Sequence, residues 1–104
     1  MKVFISQPMK DKTDEEIKIE RQKAIDNIAE LYPDEKIEII DSFFEEVPRD
    51  AKPLWFLGKS FELLSEADIA YFCKDWYKYR GCAMEHMACA KYEIDTIYYN
   101  QKES

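Results

Sequence analysis

The sequence predicts an α/β fold, a compact three-layer sandwich built on a mainly parallel four-stranded sheet, and three observations carry that expectation. Short apolar runs alternate with amphipathic stretches in the order strand, helix, strand, helix, strand, helix, strand. The connections between them are short, which favours right-handed crossovers and a parallel sheet covered by helices on both faces. A chain of 104 residues that is 46% hydrophobic supplies one core and is too short for two, so residues 1–104 are read as a single domain.

Val3-Phe4-Ile5 is the first strand, stopped by the loop Ser6-Gln7-Pro8. Thr13-Asp14-Glu15-Glu16 is a capping box, and Ile17, Ala24, Ile25, Ile28 and Leu31 recur at helical spacing, predicting a helix over 13–32. Pro33-Asp34 ends it. Residues 36–40 form a second strand, followed by the loop 41–48. Pro53 suits a helix start, and Leu54, Leu57, Phe61 and Leu64 form an apolar stripe that should pack on the sheet. Residues 68–73 are the third strand, 74–80 a polar and aromatic loop, 81 to about 92 a third helix rich in small residues, and 96–99 the last strand. The order matches a flavodoxin-like or Rossmann-like sandwich, in which ligands bind beyond the carboxyl ends of the strands, where strand order reverses. Those ends carry Ser6 to Met9, Asp41 to Phe44 and Asp75 to Gly81.

Composition excludes several chemistries. The chain has 15 basic and 22 acidic residues, a net charge of −7, which argues against a nucleic-acid polymer or an anionic membrane as partner. A small nucleotide is compatible with that balance, because a few backbone N–H groups can hold one phosphate. With only Gly58 and Gly81, no dinucleotide or phosphate-binding glycine loop can be written, and with His86 as the one histidine no multi-histidine zinc site can be built. Cys73, Cys82 and Cys89 offer no CxxC pair and read as small core residues, Cys82 alone lying close enough to a helix start for its thiol to be acidified. An odd cysteine count and an apolar stretch of three residues at the amino terminus point to a cytoplasmic protein without a signal or membrane segment.

The stretch from Asp75 to His86 is the most informative. Gly81 permits a tight turn into the third helix, whose free N–H groups and positive dipole end face the expected cleft. Glu85, near the first turn, would be kept ionised there, as a nucleophile or a sugar-hydroxyl acceptor must be; the plainer alternative is a favourable surface acid at a helix start. Trp76, Tyr77 and Tyr79, joined by Phe43 and Phe44, either wall a site against which a planar base stacks or fold back onto the core or an interface. Arg80 and Lys78 either hold a phosphate or are solvated. His86 is either a proton carrier or a satisfied, half-buried ring, and adjacent positions on a helix do not share a face with Glu85.

Three segments resemble the nucleoside 2-deoxyribosyltransferase superfamily, in particular its small phage and bacterial members: Lys2 to Met9, Ser65 to Ala70, and Gly81-Cys82-Ala83-Met84-Glu85-His86-Met87-Ala88-Cys89-Ala90. The resemblance implies that Glu85 attacks the anomeric carbon of a nucleoside or nucleotide, displacing the base to give a glycosyl-enzyme that water or a second base resolves, as in a retaining glycosidase. It implies that Ser6, Gln7 and Met9 line the sugar or base pocket; Pro8, Asp41, Phe43, Trp76, Tyr79, Arg80 and Gly81 join the candidate binding residues by their place at the strand ends and in the loop before the third helix. It further implies hydrolase or transferase activity without cofactor or metal, and a homo-oligomer. The family's aspartate ahead of the glycine corresponds to Tyr79 here, and Asp75 substitutes for it as acid if the loop folds it inward. The alternatives are a catalytically weak module that sequesters or senses a nucleotide, and an oligomeric interaction domain.

Overall fold

The computed structural model describes residues 1–41 and 47–100. Its elements are β1 (Lys2–Ser6), α1 (Asp14–Leu31), β2 (Glu38–Ile39), α2 (Pro53–Leu64), β3 (Ile69–Phe72), a 3₁₀ turn (Trp76–Lys78), α3 (Arg80–Lys91) and β4 (Asp95–Tyr98). The strands form one sheet in the order β2-β1-β3-β4, every pair parallel. This is the expected three-layer α/β sandwich of flavodoxin-like or Rossmann-like type.

Alternation along the strands sorts the core into two layers. Val3, Ile5, Ile69, Tyr71, Cys73 and Ile97 point to one face, where they meet Ala24 and Ile28 of α1. Phe4, Ala70 and Phe72 point to the other, against Leu64 of α2 and Cys89 of α3. A parallel strand buried on both faces has to be apolar throughout, which is why β1 and β3 read as unbroken apolar runs. α1 lies on one side and α2 and α3 on the other, and the change of side falls where the chain reverses direction across the sheet. β1 leads outward to β2 while β3 leads the opposite way to β4, so the switch point lies between the carboxyl ends of β1 and β3.

The capping box at α1 is complete: the Glu16 N–H donates to Thr13 Oγ1 at 3.1 Å, and the Thr13 N–H donates to Glu16 Oε1 at 3.0 Å. β2 is shorter than the expected 36–40, pairing in register with Lys2 and Val3 alone, although Met1 donates to the Lys36 carbonyl at 2.7 Å and Ile40 donates to the Val3 carbonyl at 2.9 Å. α2 departs from its expected packing. Of its residues only Leu64 is buried, while Leu54 and Phe61 are turned outward, 75% and 36% exposed. Leu57, Ser60, Leu63 and Leu64 form its inner side, a sector rotated from the one that Leu54 and Phe61 occupy.

Candidate functional site

At the switch point β1 runs out into the loop Gln7 to Lys12, and α3 begins at Arg80 beside it. Between them, with α2 as the third wall, lies a cleft of about 800 Å³. The β1 loop contributes Gln7, Pro8, Met9, Lys10 and Asp11; α2 contributes Pro53, Phe56, Leu57 and Ser60; the start of α3 contributes Tyr79, Arg80, Gly81, Met84 and Glu85. The volume lies in the range of small-molecule sites.

Glu85 is the buried carboxylate among the residues that line it. The residue is 7% exposed, and Ser6, at the end of β1 and 1% exposed, donates its hydroxyl to Glu85 Oε1 at 2.8 Å. Glu85 sits in the second turn of α3, behind Arg80, Gly81 and Cys82, and the first turn carries no acid. The expected control by the helix dipole therefore gives way to burial, since the dipole acts within the first turn. Burial pushes the Glu85 carboxyl up to about 7, against the opposing pull of the Ser6 and Ser60 hydroxyls, which favour the charged form. Its burial rules out a surface helix acid, and a raised carboxyl in a cleft makes Glu85 a candidate functional residue.

The loop after β1 is tied down from both sides. Gln7 Nε2 donates to the Ile17 carbonyl of α1 at 2.6 Å, which commits its amide to holding the loop, and Pro8 is fully buried. Lys12 reaches Glu20 of α1 at 3.4 Å and lies over the Tyr79 ring, 6.0 Å from its centre. Tyr79 is the N-cap residue of α3 and makes no side-chain capping bond, so its ring is placed by these contacts along the cleft. Gly81 has an ordinary helical backbone, not a left-handed one, and a Cβ built there would meet nothing within 4 Å. The expected tight turn is thus not what this glycine serves; its missing side chain leaves open space on the cleft wall.

Several expected site residues lie elsewhere. Asp75 adopts a left-handed conformation, φ 64°, and does not itself line the cleft; its carboxylate faces Lys78, which does, at 3.6 Å, a partly exposed contact of small energetic weight. Trp76 folds back, stacking on His86 with ring centres 4.1 Å apart and tilting onto Phe72 at 5.3 Å. His86 Nε2 meets the Tyr98 hydroxyl at 2.8 Å, and burial lowers its pKa, so this histidine closes an aromatic cluster about 100° round α3 from Glu85. Asp41 is exposed at the end of β2 and does not line the cleft. Phe43 lies outside the described residues. Cys82 is buried, and burial drives its thiol up to about 11, reversing the expected acidification.

Sequence reasoning missed the whole contribution of α2. Ser60 is the polar residue on its inner side, and a serine set beside Leu57 and Leu64 in an apolar stripe was the available signal. Asp11 was missed as well, for lack of any local pattern. A second groove of about 730 Å³, on the α1 side of the sheet, is lined by Lys12, Glu20, Tyr71 and Cys73 among others and reaches the carboxyl end of β3 from the other face. Among the described residues no group of three His, Cys, Asp or Glu side chains is placed to hold a metal ion, and no helix is long and apolar enough to cross a membrane. No protein-family model, curated protein or solved structure matches this chain.

Proposed function

We propose that this chain is a nucleoside or nucleotide N-glycosidase of the 2-deoxyribosyltransferase type, with Glu85 as its nucleophile. The observation that supports this best is one buried carboxylate at the switch point, held by Ser6 at 2.8 Å on the wall of a cleft of ligand size. In the reaction a Glu85 oxygen bonds to the anomeric carbon as the bond from that carbon to the base nitrogen breaks. The electron pair leaves with the nitrogen, which takes up a proton. Water then adds at the same carbon, the carboxylate departs, and free sugar and a proton result; a second base in place of water gives transfer.

Asp11 replaces Asp75 as the candidate acid for the departing base, since it lines the cleft and Asp75 does not. Tyr79 and Phe56 replace Trp76 as the walls for a planar base. Lys10 and Arg80 at the mouth set cationic side chains in the cleft of a chain whose net charge is −7, which favours a phosphorylated ligand. The chemistry requires no cofactor.

The test is chromatographic detection of free base after incubating the protein with a panel of nucleosides and 5′-nucleotides, beside Glu85→Gln. Base release by the wild type and a loss of at least about a thousandfold in the variant is the expected result. Equal release from both proteins, or none from either, overturns the enzymatic reading. The absence of Asp75 from the cleft lining favours one second reading, a nucleotide-binding module in the same cleft, which would show ligand-induced thermal stabilisation without turnover.

A further inference from the structure

We propose that Lys12, which does not itself line the cleft, is the positioning residue for its Tyr79 wall: the lysine ammonium sits behind the ring on whose other face the base of a nucleotide ligand stacks. This rests on the reading of the cleft as a nucleoside or nucleotide site. Lys12 lines the groove on the α1 side of the sheet and Tyr79 lines the cleft, neither residue lining both, and the lysine Nζ lies 6.0 Å from the ring centre. The ring therefore stands between the lysine and the ligand space, at a distance where an ammonium is attracted by the negative face of an aromatic ring.

Tyr79 has little else to hold it. It is half-buried at the N-cap of α3, and its side chain makes no capping bond. Among the described residues Lys12 is the one polar partner of that side chain. Lys12, by contrast, is tied down. Its N–H donates to the Met9 carbonyl at 3.2 Å, closing the turn from Met9, and its Nζ lies 3.4 Å from Glu20 of α1. The two charged side chains are 24% and 23% exposed, so solvent screens this pair less than an open surface pair. α1 and α3 pack on opposite faces of the sheet, and Lys12 joins them across its carboxyl edge.

A methionine of similar length would fill the same space. What a cation adds is attraction to the ring and to Glu20 together, which keeps the ring in one place before the ligand arrives. A ring ordered beforehand spares the ligand that ordering, a gain of about fivefold in affinity for one immobilised side chain.

Isothermal titration of the Glu85→Gln chain with the four common nucleoside 5′-monophosphates and with ribose 5-phosphate tests this. Adding Lys12→Met should weaken the tightest-binding nucleotide about fivefold, and ribose 5-phosphate, which has no base to stack, less than about twofold. Lys12→Arg, which keeps the cation, should bind both as the parent does, and in a Tyr79→Ala background Lys12→Met should leave nucleotide affinity unchanged. Equal losses for both ligands, an unchanged nucleotide affinity, an arginine that behaves as the methionine does, or a parent chain that binds none of the ligands overturns the proposal. If Lys12→Met does not fold, Glu20→Gln, which unties the lysine, is judged by the same pair of ligands. Base release is assayed separately, so nucleotide binding that depends on Lys12 without turnover would refute the glycosidase reading and leave this inference standing, and turnover with binding indifferent to Lys12 would do the reverse.

Discussion

The pair Ser6 and Glu85 is the smallest unit on which the proposed function turns. A carboxylate can act as a nucleophile only when ionised, and burial holds this one near neutrality, so activity on the proposed reaction should rise with pH through about 7. The Ser6 hydroxyl donates to the charged form and so pulls the pKa down. In Ser6→Ala that support is gone, and the midpoint of the pH–rate profile should move upward by ~1 unit, a hydrogen bond to a charged group being worth about 1.5–3 kcal/mol. A midpoint that stays put would show that Ser6 does not tune the carboxyl. A rate that falls through 7 instead of rising would make Glu85 a proton donor rather than a nucleophile. The two residues were both legible as site candidates, Glu85 in its helix and Ser6 at a strand end, but the bond between them spans 79 positions and no local pattern announces it.

At the scale of the element, α3 shows how one helix serves two surroundings. Its inner side buries Cys82, Glu85 and Cys89, which lie at spacings of three and four and therefore on one face. His86, one step round the helix, joins Trp76 and Tyr98 instead. Gly81 sits at the cleft end of the helix with open space beside it. Gly81→Ala is accordingly expected to leave the melting temperature unchanged or to raise stability by up to about 1 kcal/mol, the helical preference of alanine over glycine. The same methyl group would occupy cleft volume, so thermal shift with a bound nucleotide should shrink. A destabilised Gly81→Ala would contradict the helical, unconstrained glycine described above. In α1 the sequence was a complete guide, since its capping box and apolar spacing are local features that the structure realises bond for bond. In α2 it was not, because an almost wholly apolar helix leaves the inner side to be chosen by the sheet it meets.

For the molecule as a whole, the buried carboxyl has a thermodynamic cost that pH should reveal. Below about 4.5 both the folded and the unfolded states hold the proton of Glu85. Between that value and about 7 the unfolded chain gives its proton up while the folded chain keeps it, so the folded state binds more protons and stability falls as pH rises. Above 7 the loss is complete, of the order of 3 kcal/mol at 1.36 kcal/mol per unit. Glu85→Gln keeps a hydrogen-bonding partner for Ser6 and carries no charge. Chemical denaturation at pH 5 and pH 8 should show this variant losing less stability between the two than the wild type, by about 2 kcal/mol. Identical pH dependence in the two proteins would place the carboxyl in a wetter environment than the fold implies. Against a total stability of about 5–15 kcal/mol for a domain of this kind, the penalty is large.

What the sequence determined by itself was the alternation of elements, the parallel sheet, the caps of α1 and the end of the sheet at which a site belongs. Each of these follows from short-range patterns: runs apolar on both faces, helical periodicity and connection length. Tertiary structure alone decided that α2 forms a wall of the cleft, that Ser6 meets Glu85, that Trp76 packs on His86 rather than lining the cleft, and that Asp75 pairs with Lys78 instead of lining it. Those outcomes depend on which of several equally apolar or equally polar side chains the packed sheet can accept, a competition among distant groups that no window of sequence contains.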